Sequence, residues 1–115
     1  MQTAIPTIVV LCGSTRHWDA LAEANLYETL AGRIVLAPGC NMKQAHPLWE
    51  DPARADRIKQ QLDELHRRKI DLADEVLIVN PGGYIGESTR SEIDYARSLG
   101  KPIRYTCPTQ EAGRG

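Results

Sequence analysis

Four short runs of apolar and β-branched residues predict the strands of this chain. The first three are apolar almost without interruption, which is typical of parallel strands that are covered on both faces of a sheet. The fourth follows a glycine and has fewer apolar residues. The predicted strands are residues 7–12, 33–37, 75–80 and 101–105.

Helical periodicity fills the intervals between these runs. Apolar residues recur three or four positions apart, and Gly32 and Gly100 follow the first and third segments as helix-stopping residues. The third helix is predicted to start at Ser88 or Thr89. The predicted helices are residues 18–31, 53–72 and 88–99.

This alternation predicts an α/β fold, a small doubly wound (Rossmann/flavodoxin-like) parallel sheet of 4–5 strands with helices on both faces. One domain over residues 1–107 accommodates all the elements, and residues 108–115 are expected to form a polar tail. In such a sheet, ligands bind at the carboxyl ends of the strands. The segments expected at that edge are residues 13–17, 39–52 and 80–92.

The composition narrows the functional classes. The chain has 115 residues, with 14 Lys and Arg against 15 Asp and Glu, and a net charge of −1. This balance gives no general attraction to nucleic acid polymers or to anionic membranes. No apolar run approaches the ~20 residues of a membrane-spanning helix, and the first residues lack the basic start of a signal peptide. We expect a cytoplasmic protein without a nucleic acid or membrane partner.

The cysteines and histidines form no metal or redox motif by their spacing. Cys12, Cys40 and Cys107 are odd in number and far apart, which predicts free thiols in a reducing compartment. The three histidines show no ligand spacing either. We therefore expect no metal and no other cofactor.

The turn after the first strand, Gly13-Ser14-Thr15-Arg16, is the first candidate binding element. Glycine lets the backbone approach a ligand closely. The hydroxyls, the amides of a helix start and the guanidinium suit a phosphate or a carboxylate. The alternative is a helix cap with Ser14 or Thr15 as the N-cap residue.

The loop within residues 80–92 is the second candidate. Its glycines, which include Gly86, and its proline favour a shaped loop that a ligand can approach closely. Ser88 offers a hydroxyl at the start of the next helix, where it suits a phosphate or a sugar. Tyr84 lies in the loop and is a candidate for stacking on a base.

Glu92 is the candidate nucleophile in the same segment. It falls in the predicted first turn of the last helix, where the helix dipole is expected to hold the carboxylate ionised. An ionised carboxylate that faces a cleft can attack a sugar C1′ and form a covalent intermediate. The alternative is a capping box, Thr89-x-x-Glu92, in which the carboxylate only caps the backbone.

The polar face of the long helix is the third candidate. Most of its charged residues are expected to be solvated and paired at i,i+4 spacing, as in Glu64 and Arg68. A residue in the C-terminal half, next to the third strand, is expected to be able to overhang the ligand edge.

Three stretches form a pattern that extends over about residues 7–105. The first is C-G-S-T-R at residues 12–16, and the second is D-L-A-D-E-V-L-I-V at residues 71–79. The third is Gly86-x5-Glu92-x3-Ala96-x2-Leu99-Gly100-Lys101-Pro102-Ile103. Together they resemble the nucleoside 2-deoxyribosyltransferase-like superfamily, which includes the 2′-deoxynucleoside 5′-monophosphate N-hydrolases and small relatives.

The resemblance implies roles for several residues. It implies a nucleophilic glutamate that maps onto Glu92, and a nucleoside or phosphate site that maps onto Gly13, Ser14 and Arg16. It also implies that Ser88 holds a 5′-phosphate.

Two positions depart from the family's pattern. A tyrosine three residues before the first-strand glycine is Val10 here, and an aspartate of the long helix falls on or near His66. His66 is then a candidate acid, and Asp63 or Asp71 is an alternative. The candidate catalytic residues are Glu92, His66 and Asp71. The candidate substrate-binding residues are Gly13, Ser14, Thr15, Arg16, Gly86, Ser88 and Tyr84.

Three hypotheses follow. The first is a cofactor-free N-glycosidase or deoxyribosyltransferase-like enzyme that cleaves the base–sugar bond of a nucleoside or nucleotide through Glu92. The second is a nucleotide-binding or sensing module without chemistry, and the third is a structural interaction protein. A thin sheet between helices is expected to leave apolar surface uncovered, which predicts a homodimer or a higher homo-oligomer.

Overall fold

Seven elements alternate along the chain in a computed structural model that describes residues 5–108. Most of the predicted polar tail, residues 109–115, lies outside the described residues, as do residues 1–4. The elements are β1 (Ile8–Cys12), α1 (Trp18–Leu30), β2 (Ile34–Leu36), α2 (Pro52–Leu72), β3 (Glu75–Ile78), α3 (Glu87–Ser98) and β4 (Ile103–Tyr105).

The four strands form one parallel sheet in the order β2-β1-β3-β4. The α/β class and the doubly wound parallel sheet predicted from the sequence are therefore confirmed. The chain leaves β1 toward β2 on one side and reaches β3 on the other, so the order reverses between β1 and β3. The crevice at the carboxyl ends of strands beside such a reversal is the usual ligand position in this class of sheet.

Side chains alternate between the two faces of the sheet, as the two-residue period of a strand requires. Val9 and Leu11 pack toward α1 in one core cluster, which includes Leu21 and Ala24. Val10 and Cys12 belong to the other cluster, on the face that α2 and α3 cover. The last residue of β1 therefore directs its side chain beneath α2 and α3.

The third strand ends at Ile78, two residues earlier than predicted. Beyond it, the side chain of Asn80 takes over the pairing with the neighbouring segment. This residue is fully buried, and its side-chain amide donates to the backbone oxygen of Cys107 at 2.9 Å and accepts from its backbone nitrogen at 3.0 Å. These bonds pair the amide with the segment that follows β4. An asparagine side chain thus replaces one step of the strand ladder.

Gly13 is required by the sheet itself. A Cβ atom at this position would lie 2.6 Å from the backbone oxygen of Val79, closer than a carbon atom can approach without displacement. The sequence predicted a close approach at Gly13 but assigned it to a ligand. The backbone that follows β3 accounts for the glycine.

None of the helices in residues 5–108 is apolar over a length sufficient to cross a membrane. The longest, α2, spans 21 residues and carries charged side chains along much of its length.

Candidate functional site

A cavity of about 410 Å³ lies beside the carboxyl ends of β1 and β2, under the middle of α2 and the start of α3. Segments that are distant in sequence meet there because parallel strands end at the same edge of the sheet. All the predicted site residues except Asp71 line this cavity. They are Gly13, Ser14, Thr15, Arg16, His66, Tyr84, Gly86, Ser88 and Glu92.

Asp71 lies outside the cavity. It is on the last turn of α2, immediately before β3, and its carboxylate accepts from the Tyr95 hydroxyl at 2.5 Å and pairs with Arg68 at 3.2 Å. Because α2 runs antiparallel to the strands, its C-terminal end lies beside the amino ends of the strands. The C-terminal half of α2 does reach the ligand edge through Asp63, His66 and Lys69, which line the cavity, but the choice of Asp71 as a site residue is wrong.

Glu92 does not cap the helix backbone. The helix α3 starts at Glu87 with Gly86 as its N-cap residue, and no side chain caps it. Thr89 is therefore a buried residue within the first turn, and Glu92 lies one turn further along. The capping box is wrong by this geometry. The Glu92 carboxyl lies at the cavity wall, with its side chain 19% exposed.

Cys12 and His66 lie next to Glu92. The Sγ atom of Cys12 is 3.3 Å from Nε2 of His66, and Oε1 of Glu92 is 3.9 Å from the same nitrogen. Each residue comes from a different element, namely the end of β1, the middle of α2 and the second turn of α3. The alternating pattern of β1 and the helical period of α2 and α3 bring the three side chains to one point.

Burial controls the protonation of this group. It raises the pKa of Glu92 from 4.5 to about 7, and Asp63 adds to the rise. The expectation that the helix dipole holds Glu92 fully ionised is therefore wrong. Glu92 lies beyond the first turn, where the dipole acts most strongly, and burial disfavours its charged form. Near pH 7 the carboxyl group is about half ionised.

His66 is neutral at physiological pH. Burial, followed by the charge of Lys69, lowers its pKa from 6.5 to about 4. A neutral imidazole keeps one N–H, but this group is a far weaker acid than the imidazolium, which argues against the acid role considered for His66. Burial also raises the pKa of the Cys12 thiol well above its usual range, and Glu92 adds to this effect.

The turn after β1 combines capping with exposed donors. The Ser14 hydroxyl accepts from the backbone nitrogen of Arg16 at 3.2 Å, so it caps the short 3₁₀ helix at Thr15–His17. The Arg16 guanidinium stacks on the Tyr84 ring, with Cζ 4.7 Å from the ring centroid. Stacking fixes the plane of the guanidinium but does not use its N–H donors, which lie in that plane.

The start of α3 adds a second set of donors. The first N–H groups of any helix lack acceptors within the helix, and the 12-residue α3 has no side-chain cap. Gly86, Glu87, Ser88 and Thr89 all line the cavity. A phosphate placed there would meet backbone amides, the Ser88 hydroxyl and the positive end of the helix dipole.

Three lysines that the sequence pattern did not assign to the site line this cavity. Lys43 donates to the Thr15 hydroxyl at 3.1 Å, and Lys69 donates to the backbone oxygen of Ala37 at 2.7 Å. Lys59 pairs with Asp63 at 3.1 Å. The helical period offered a signal for two of them, since Lys59 and Lys69 lie seven and three residues from His66 on α2. Lys43 lies in the long loop, where no period places it.

Comparison of the chain with protein-family models and with curated proteins gives no match.

Proposed function

We propose that this protein is an N-glycosidase or deoxyribosyltransferase-like enzyme that cleaves the base–sugar bond of a nucleoside or nucleotide. The observation that carries the proposal is the position of the Glu92 carboxyl at the wall of a cavity beside the reversal of strand order. The same cavity holds the donors predicted for a sugar phosphate. The resemblance to the nucleoside 2-deoxyribosyltransferase-like superfamily supports the same function.

The anionic end of the substrate is assigned to Ser88, the uncapped start of α3 and Arg16. The amides at the start of α3 suit phosphate oxygens, and a guanidinium can bind a phosphate through two parallel hydrogen bonds. Tyr84 orients Arg16 by stacking. These groups would hold the substrate at one end and present its C1′ carbon to the carboxyl group.

The chemical step is a displacement at C1′. An ionised Glu92 oxygen forms a bond to C1′ while the C1′–N bond breaks, and the base leaves with that electron pair. The base takes up a proton from water, and a water or an acceptor base then displaces Glu92 from C1′. The reaction needs the ionised carboxylate, so kcat/KM is expected to rise with pH through about 7, the pKa of Glu92.

Base release from a panel of nucleosides, 2′-deoxynucleosides and their 5′-monophosphates tests the proposal. The wild type is expected to release free base from at least one member, and Glu92→Ala and Glu92→Gln are expected to abolish release. Asp94→Asn, an exposed neighbour on α3 that does not line the cavity, is the matched control and should retain activity. Absence of release by the wild type from the whole panel, at pH 6 to 9, would overturn the proposal.

A nucleotide-binding or sensing module is the second candidate. It is favoured by the state of His66 and Asp63, the two candidate proton donors at the cavity. His66 is neutral at pH 7, and the Asp63 carboxylate is paired with Lys59 at 3.1 Å. Neither group is poised to protonate a departing base. A ligand-induced rise in Tm without base release would identify this second function.

We further propose that the protein is cytoplasmic and forms a homodimer. Large apolar side chains of α1 are exposed, among them Leu26, Tyr27 and Leu30 at 55%, 61% and 74%. Exposed apolar surface of this kind often marks a contact with another chain.

A further inference from the structure

Three side chains with different ligand atoms converge at the inner end of the cavity. The Cys12 sulfur, the His66 Nε2 nitrogen and a Glu92 carboxylate oxygen all lie within 4.8 Å of one another. Cys12 and His66 are buried, whereas Glu92 is partly exposed toward the cavity. His66 and Glu92 line the cavity and Cys12 does not, so the cavity gives access to the cluster through His66 and Glu92.

This arrangement differs from a thiol–imidazole–carboxylate catalytic triad. In a triad, the nucleophile and the carboxylate contact opposite nitrogens of the imidazole ring. Here both Cys12 and Glu92 approach the same nitrogen, Nε2. Cys12 is also fully buried, so its sulfur is not placed to attack a substrate in the cavity. The geometry is that of three groups around a common centre.

Two of the separations between these atoms are within about 0.5 Å of those in a tetrahedral zinc site. Zinc binds sulfur at about 2.3 Å and nitrogen or oxygen at about 2.0–2.2 Å. At tetrahedral angles, these bond lengths separate sulfur from nitrogen by about 3.6 Å and nitrogen from oxygen by about 3.4 Å. The observed distances are 3.3 Å and 3.9 Å, and the sulfur and the carboxylate oxygen lie within 4.8 Å of each other, so adjustment of the side chains brings the three atoms to a common metal ion. The longer of the two exceeds a hydrogen-bond distance.

We propose that Cys12, His66 and Glu92 form a binding site for a zinc ion, with the fourth coordination position open to the cavity. Thiolate, imidazole and carboxylate together suit Zn²⁺ rather than Mg²⁺ or Ca²⁺, which prefer oxygen ligands. Coordination replaces the thiol proton of Cys12, which is released to solvent. Three protein ligands with one open position are typical of zinc sites that accept a water or a substrate group.

Zinc at this position would control the proposed reaction. The metal would hold the Glu92 carboxylate that the displacement at C1′ requires, so zinc binding and base release exclude each other. This consequence rests on the proposed function, whereas the metal site itself does not. Inhibition of base release by zinc, reversed by a chelator, is expected if both are correct.

Zinc titration of the full chain, after treatment with a chelator, tests the site directly. A competing chromophoric chelator reports the affinity and the stoichiometry, and we expect one Zn²⁺ per chain with no comparable binding of Mg²⁺. Cys12→Ser and His66→Gln are each expected to weaken binding more than about 100-fold, because loss of groups outside the ligand set already costs about 10–100-fold.

Cys40→Ser is the matched control, since Cys40 lines the cavity but does not belong to the cluster of three ligand atoms. This variant should bind zinc like the wild type. Equal binding by the wild type and Cys12→Ser, or loss of binding in Cys40→Ser alone, would overturn the site. So would the absence of zinc binding by the wild type.

Cobalt spectroscopy covers the case in which a variant folds poorly. Co²⁺ bound to wild type should show a near-ultraviolet sulfur-to-metal charge-transfer band, and Cys40→Ser should keep it. A Co²⁺ complex of the wild type without this band excludes Cys12 as a ligand and overturns the proposal. The readout needs no catalytic activity, so a failed base-release assay leaves it intact.

Discussion

Gly13 shows at the scale of a residue how the sheet constrains the site. The added Cβ of Gly13→Ala would press against the backbone oxygen of Val79 at 2.6 Å. A backbone atom inside a sheet cannot move aside cheaply, so we expect a loss of about 1–3 kcal/mol in the free energy of unfolding. Urea denaturation measures it.

Gly39→Ala is the matched control for this substitution. Gly39 also lines the cavity, but a Cβ there meets no atom within 4 Å. The free energy of unfolding of Gly39→Ala should stay within about 0.5 kcal/mol of the wild type. Equal effects at the two glycines would contradict the close approach at Gly13.

The pKa of Glu92 has a consequence for stability. Its pKa is about 7 in the folded chain and 4.5 in the absence of structure. The folded state therefore binds the proton more tightly, and the wild type loses stability as pH rises from about 4.5 to 7. Glu92→Gln removes this loss, so the variant should become more stable than the wild type by up to about 3 kcal/mol at pH 8.

Chemical denaturation of both proteins between pH 4 and pH 8, with a chelator present, measures this difference. At pH 4 the carboxyl group is protonated in both states, and the two proteins should differ little. His66 changes the free energy of unfolding in the opposite direction. Because its pKa is lowered in the folded chain, stability falls as pH drops below 6.5. This effect is present in both proteins and does not alter their difference. A difference that does not change with pH would contradict the raised pKa of Glu92.

The sequence could place residues at the edge of the sheet, but not their contacts. Gly13, Ser14 and Ser88 follow strand ends or start a helix, so the order of elements alone predicts their position. The meeting of Cys12, His66 and Glu92 depends on the rotation of two helices over the sheet, which no local pattern determines. Asp71 was misplaced for the same reason, because the position of a residue along α2 decides which end of the sheet it reaches.

At the scale of an element, the residue at which α3 starts determines whether Glu92 caps the helix or faces the cavity. The sequence placed this start at Ser88 or Thr89, whereas the helix begins at Glu87 after Gly86. A shift of one or two residues moves Glu92 out of the capping position and into the second turn. Helix starts are poorly determined by sequence when several Ser and Thr residues follow one another, because each is a competent N-cap residue.

The donors at this helix start predict a preference for phosphorylated ligands. A nucleoside 5′-monophosphate should raise Tm more than the corresponding nucleoside, because the uncapped amides and Arg16 gain a partner. Arg16→Gln should remove most of that difference. Thermal denaturation with each ligand at equal concentration measures it.

Arg57→Gln is the control for loss of positive charge. Arg57 is exposed on α2 and does not line the cavity, so this variant should retain the full difference between the two ligands. If Arg16→Gln and Arg57→Gln behave alike, the phosphate is not held at the turn after β1.

For the whole molecule, the sequence predicted the architecture well. Uninterrupted apolar strands and regular alternation with helices leave few other arrangements than a parallel sheet with helices on both faces. The strand order β2-β1-β3-β4 then brings the ends of β1 and β3 together. Long-range pairings such as Asn80 with Cys107 lie beyond what such patterns predict.

The apolar side chains exposed on α1 lead to a prediction about assembly. Light scattering coupled to gel filtration should give twice the chain mass of 12.8 kDa for a homodimer. Leu30→Glu should shift the wild-type dimer toward the monomer, because a charge at a buried contact is costly. Leu72→Glu, an equally exposed site at the end of α2, should leave the mass unchanged. A monomeric wild type would contradict the prediction.

The most direct test of the central claim is the mass of the intact protein during turnover. The wild type is incubated at pH 8 with a 2′-deoxynucleoside 5′-monophosphate that it cleaves, and the reaction is stopped rapidly with acid. Attack by Glu92 predicts a covalent adduct with the mass of the sugar phosphate, located on the peptide that contains Glu92 and absent from Glu92→Gln. An adduct on another residue, or base release by Glu92→Gln at the wild-type rate, would contradict the account.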